Sequence, residues 1–301
     1  MTVYLHIGAH KTATTSLQKL VKENRHELTR QNIWSVPRIF PDEPSFARLT
    51  WIDALGKTQK VPVNQLDANP HFQVICNAFS SRRPAGMDLL ISDESIAGRL
   101  IGETSSLYPH AGRRIDVLSQ VFRDEPLRVI LYIRHQDTFI ESAWMLQVIR
   151  GRTTRTFDDF FAGIDCDALS WCRVADDIAR VVGPTNLQIS AFEGIHDGFE
   201  PWARTFFSMF CDPAPLHIRP LQANPGLRAS GIALSRFLAG RIPRSRWKPV
   251  RWTLQKLFAA HPHARTSLID PSVQNRLREQ YADDYRDALA RFGQNAAGWT
   301  R

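Results

Sequence analysis

Four short apolar runs decide what this chain can fold into: residues 3–7 (VYLHI), 87–92 (MDLLIS), 128–134 (RVILYIR) and 187–192 (LQISAF). A run that is apolar on consecutive positions must be covered on both faces, which is the situation of a strand inside a parallel sheet. Between the runs the spacing is helical. Residues 14–30 carry Leu17, Leu20, Val21 and Leu28 as their apolar positions, and residues 137–149 place Phe139, Ala143, Leu146 and Ile149 on one face. A further helix is expected near 168–182. The alternation predicts an α/β fold of three layers, P-loop-like, with a central parallel sheet of about 4–5 strands and helices on both faces. Residues 35–70, rich in proline, aspartate and other polar side chains, read as a long excursion. From about residue 200 the pattern is helical, ending in a helix over 271–292 that Pro271 is placed to start. One domain over 1–301 is the simplest organisation, with an α/β core over about 1–212 and a helical, basic part over about 213–301.

Composition removes several classes. Of the 301 residues 43% are apolar, yet no run approaches the roughly 18 residues of a membrane-spanning helix. The first twenty residues lack the apolar segment and cleavage site of a signal peptide. Cys76, Cys166, Cys172 and Cys211 form no metal-spaced cluster, so a reduced, cytoplasmic protein without a bound metal is expected. The 38 Lys and Arg exceed the 30 Asp and Glu, and only seven of the 38 are Lys. Such an excess fits an anionic ligand, a nucleic acid or an acidic surface.

The most informative segment is YLHIGAHKTATTSLQ, residues 4–18. An apolar strand enters a loop with one Gly, one Lys and several hydroxyls, then opens a helix. The N–H groups of a helix N-terminus are unpartnered and carry partial positive charge, so they suit phosphate or sulfate. Lys11 adds a full charge; Thr12, Thr14, Thr15 and Ser16 add donors, beside His10 and Ala13. A purely structural reading makes Thr14 or Thr15 an N-cap and leaves Lys11 solvated. The spacing is not that of a nucleotide-triphosphatase loop, because Gly8 lies only three residues before Lys11.

The order strand–HxGxHKTxTTSLQ–helix resembles the 5′-phosphosulfate loop of sulfotransferases that use 3′-phosphoadenosine-5′-phosphosulfate (PAPS), most closely their bacterial and carbohydrate-type branch. The loop there typically reads KTGTTS, and this chain has Ala13 at the glycine position, which an L-residue fills cheaply only if it is not left-handed. A second segment extends the resemblance. Sulfotransferases bind the 3′-phosphate with an Arg at a strand end and a Ser eight residues on, and Arg134 and Ser142 stand at that separation, with Trp144 and Gln147 continuing the pattern. Forked guanidinium donors suit a phosphate. The structural alternatives are an Arg134 ion pair with Asp137 or Glu141, and Ser142 as a small residue at a helix contact. The glycine- and lysine-containing motif found near the C-terminus of cytosolic sulfotransferases is absent.

The third run ends in Ser92–Asp93–Glu94. In a parallel sheet the strand C-termini line the site crevice, which puts these carboxylates near the Lys11 loop. The resemblance implies Glu94 as general base, Lys11 on the bridging oxygen, and in-line transfer to an acceptor hydroxyl, a sugar or glycolipid by preference, with no metal required. Glu94 as the cap of a helix starting near Ser95 is the structural alternative. His10 competes as the base; His6 reads as a core or crevice group, and His135 follows Arg134. An apolar run followed by Asp–Glu also resembles the magnesium strand of nucleotide triphosphatases, so a kinase or ATPase using Asp93 is a second reading. A non-enzymatic polyanion-binding module is a third. It draws on residues 217–265, which hold ten Lys or Arg and no acid, interleaved with Trp247 and Trp252. That stretch could be a solvated face, a groove for an acidic glycan, or a contact with an acidic membrane surface; no nucleic-acid recognition motif accompanies it. Asn224 resembles an Asn of the family's helical region and also suits a turn before Pro225.

Overall fold

Strands β1 (Val3–His6), β2 (Ile33–Pro37), β3 (Asp88–Ser92), β4 (Leu127–Ile133) and β5 (Leu187–Ala191) form one sheet, all parallel, in the order β2-β3-β1-β4-β5. They are seen in a computed structural model that describes residues 1–37, 48–80, 83–220, 226–259 and 267–299. Asn224 and part of the basic stretch lie outside the described residues. β1 is the central strand: Leu5 faces Ile91 on one side and Val129 on the other. Because the chain leaves β1 toward β2 and β3 and later crosses to β4 and β5, the end of β1 is the topological switch point where α/β folds bind ligands.

Alternate residues of each strand feed two separate cores, as the pleat requires. Val3, Leu5, Leu89, Ile91, Val129, Leu131 and Leu187 belong to one. Tyr4, Leu90, Ile130 and Tyr132 belong to the other. The first face is covered by α3 (Arg48–Thr58), α4 (Pro70–Ser80), α5 (Ala111–Val121), α6 (Gln136–Ile149), α8 (Trp171–Val182) and α12 (Pro271–Phe292). The second is covered by α1 (Thr14–Glu23), α2 (Arg25–Arg30) and α9 (Phe199–Ser208). Short α7 (Phe157–Phe161), α10 (Ala229–Ala239) and α11 (Trp247–Leu257) complete the described helices. This is the three-layer α/β arrangement with helices on both faces, P-loop-like in that β1 passes through a loop into α1. No helix among the described residues is long and apolar enough to cross a membrane.

Two segments differ from the sequence expectation. The helix expected over 14–30 is two helices, broken at Asn24, whose side chain donates to the carbonyls of Leu20 (3.0 Å) and His217 (2.9 Å) and accepts the His217 N–H (2.7 Å). The break is the point where a distant stretch of chain is sewn to the second layer. The expected excursion over 35–70 contains the end of edge strand β2 and all of α3, whose Trp51, Ala54 and Leu55 are buried at helical spacing.

Candidate active site

The loop between β1 and α1 begins as a continuation of the sheet: Ile7 and Ala9 N–H groups still donate to Ile130 and Tyr132 of β4. It then turns sharply through two left-handed residues that are not glycine, Lys11 (φ 70°) and Ala13 (φ 57°). Ala13 therefore sits in the backbone region that a Cβ disfavours. It serves as the N-cap of α1, and no side chain caps that terminus, nor does an acid occupy its first turn. The positive end of α1 is left for something other than its own side chains.

Gly8 sits at a point of close approach. A Cβ on it would stand 3.0 Å from His6 Nε2, 3.1 Å from Thr14 Oγ1 and 3.3 Å from Thr12 Oγ1. These three polar atoms form the floor of the loop. The fully buried Thr12 donates its hydroxyl to the Ala9 carbonyl (2.6 Å), so that proton closes the loop. Thr14 and Ser16 are buried, while His10, Lys11, Ala13 and Thr15 are half-buried along the rim. His6 is fully buried, with Nδ1 bonded to Ser92 Oγ (2.7 Å). Burial lowers its pKa to about 3, so the ring beneath the loop is neutral.

Arg134, at the end of β4, reaches this loop. Its Nη1 donates to the Lys11 carbonyl (3.2 Å) and its Nε to Thr138 Oγ1 (2.9 Å). The guanidinium lies over the Phe192 ring at 4.8 Å, and the Arg134 carbonyl accepts from Trp171 Nε1 (2.8 Å). The two acids that could have claimed it are engaged elsewhere: Asp137 pairs with Arg278 (2.9 Å), and Glu141 accepts from the Leu268 N–H (2.6 Å). Ser142 is buried on α6, one turn beyond Thr138 on the same side of the helix. Thr138 escaped the sequence reading, although a hydroxyl four residues after a strand-end arginine was a usable signal.

Glu94 lies across the loop from Arg134's strand, at the end of β3. Its carboxylate accepts from Gln18 Nε2 (3.1 Å), and the same amide donates to the Ser92 carbonyl (3.1 Å). Gln18 is one turn from Thr14 on α1, so Glu94 is tied to the helix face that carries a loop hydroxyl. The capping role belongs to Asp93: its carboxylate accepts the Ser95 N–H (2.8 Å) at the start of the single turn Glu94–Ile96. Behind it Arg114 donates to the carbonyls of Ile96 and Ser95, and burial lowers this guanidinium's pKa to about 10.

His10 is held by Tyr108, which was not foreseen. The phenol oxygen accepts the His10 N–H (2.8 Å) and bonds the ring Nδ1 (2.9 Å). His135 is farther round, its ring stacked on Tyr285 at 3.8 Å and its N–H on Glu193. In the basic stretch Trp247 is buried and donates to the Ile149 carbonyl (2.9 Å), whereas Trp252 is 74% exposed between Lys248 and Lys256 on α11.

No family model matches the chain, and no curated protein matches it. Among solved structures it is similar to the sulfotransferase from Alicyclobacillus acidocaldarius, at 12% identity and a TM-score of 0.47, over 100% of this chain and 99% of that one.

Proposed function

We propose that this chain is a transferase that moves a sulfuryl group from PAPS to an acceptor hydroxyl. The single observation that carries the reading is the meeting of Arg134 with the Lys11 backbone, which joins two anion-binding stretches from opposite sides of the switch point. The residues suit the two ends of such a ligand. An uncapped helix terminus, a loop glycine packed closely against three polar atoms, and the hydroxyls of Thr14, Thr15 and Ser16 suit the 5′-phosphosulfate, with Thr12 and Ala13 shaping the turn. Arg134, Thr138 and Ser142 suit the 3′-phosphate. The bound nucleotide supplies an activated sulfuryl group.

Glu94 takes the acceptor hydroxyl's proton as the oxygen attacks sulfur in line. Lys11 and the α1 N–H groups meet the negative charge that develops on the departing phosphate oxygen. Glu94 is preferred to His10 because Tyr108 engages one nitrogen of the His10 ring. Gln18 orients the carboxylate.

Thermal denaturation with 3′-phosphoadenosine-5′-phosphate, 5′-AMP and magnesium ATP tests the reading. Stabilisation that requires the 3′-phosphate, lost in Arg134→Gln, is the expected result; equal shifts with 5′-AMP overturn it. Lys11→Ala should lower turnover by at least about a hundredfold, in the range of a removed oxyanion donor. Glu94→Gln should abolish turnover and leave nucleotide binding intact.

A further inference from the structure

Beside the site lies an open cleft of about 660 Å³ whose lining includes His10 and Ser95, neighbours in sequence of Lys11 and Glu94. Six of its lining side chains are cationic: Lys57, Lys60, Arg99, Arg114, Arg150 and Arg152. Two are acidic, Asp53 and Glu103, and Glu103 is already bonded to Arg152 and to Gln147. Among the described residues the lining contains no Phe, Tyr or Trp, its rings being those of His10, His110 and Pro109. A hydrated, negatively charged acceptor would enter a field of its opposite sign.

The cationic wall is built into the fold. The Arg114 head is fixed from the floor by the carbonyls of Ser95 and Ile96. The turn bearing Arg150 and Arg152 is braced from behind by the basic C-terminal part. Gly151 there has φ 63°, and a Cβ on it would stand 2.4 Å from the Trp247 ring. Arg244 donates to the Arg152 carbonyl (3.4 Å). Trp247 and Arg244 thus brace the turn that brings two arginines into the cleft lining.

We infer that the cleft receives the acceptor, and that the acceptor is a hydroxylated chain bearing carboxylate groups close to the reacting hydroxyl, such as an acidic saccharide. This rests on the sulfuryl-transfer reading for the identity of the second ligand. The sign and the hydrophilic lining of the cleft supply the chemical class.

The test compares binding of a short oligogalacturonate with its neutral methyl ester, by calorimetry, in the presence of 3′-phosphoadenosine-5′-phosphate. The wild-type chain should prefer the carboxylated form by about tenfold or more, with the preference shrinking as salt is raised. Lys57→Gln/Arg99→Gln/Arg150→Gln should lose that preference while keeping the nucleotide-dependent thermal shift. Arg99→Glu, a single change at an exposed position, should weaken the carboxylated form and spare the ester. Equal affinity for both forms in the wild type, or an undiminished preference in both variants, overturns the inference. A missing nucleotide shift in the wild type overturns the sulfuryl-transfer reading instead, so the two failures are read separately.

Discussion

Acid provides the sharpest probe of the buried floor beneath the Lys11 loop, because one histidine there takes up a proton far less readily in the folded chain than in the unfolded one. His6 is fully buried, 4.7 Å from the Phe206 ring centre and 5.8 Å from that of Tyr132. Desolvation lowers its pKa from 6.5 to about 3. In the unfolded chain the ring takes up a proton below its ordinary value; in the folded chain it does so only near pH 3. Between those limits the unfolded state binds more protons, so stability is complete above pH 6.5 and falls as the pH drops. Each pH unit is worth about 1.4 kcal/mol, which makes the His6 contribution at pH 5 a loss of about 2 kcal/mol relative to pH 7.5. Urea unfolding at the two pH values, on the wild type and on His6→Asn, isolates it from the carboxylates that also titrate. The wild type should lose about 2 kcal/mol more than the variant. Equal losses, or a His6 ring resonance titrating near its ordinary pKa, would refute the neutral buried ring beneath this loop.

Ala13→Gly should stabilise the chain by about 0.5–1 kcal/mol, since the strain of a left-handed alanine, roughly 1–2 kcal/mol, exceeds the added backbone entropy of glycine; a lowered urea midpoint would contradict the φ of 57°. Asp284→Ala on α12 should cost about 3 kcal/mol or more by the same assay. Its carboxylate accepts from Gln136 Nε2 (2.7 Å), Ser170 Oγ (2.5 Å) and the N–H groups of Trp171 (2.7 Å) and Cys172 (3.2 Å), and a neutral cost would mean that water replaces it freely.

How far the sequence could be read depended on how far apart the partners are. β1, β3, β4 and β5 announce themselves by short apolar runs, and α12 by an apolar residue at every fourth position (Val273, Leu277, Tyr281, Tyr285, Leu289) after an initial proline, because each signal is local. β2 is an edge strand, IWSVP, whose apolar run is interrupted by Ser35 and ends in Pro37 beside a polar stretch, so it does not stand out. The break of α1 at Asn24 was invisible since the partner, His217, is 193 residues away. The site divides in the same way. Lys11 and Arg134 were nominated from sequence because each stands in a contiguous segment that resembles a sulfotransferase motif. Tyr108, 98 residues from the histidine it holds, and Gln18, 76 residues from Glu94, had none. The two tryptophans of the basic stretch show the limit most clearly. In sequence Trp247 and Trp252 look alike, each beside a cation, yet one fills the space behind Gly151 and the other faces solvent. What separates them is a glycine nearly a hundred residues upstream, held at a φ that only it adopts cheaply. The basic character of the C-terminal part was therefore visible from composition. Its structural use, to brace the Arg150–Arg152 turn in the lining of a cleft that opens beside the Lys11 loop, depended on a contact that no run of adjacent residues encodes.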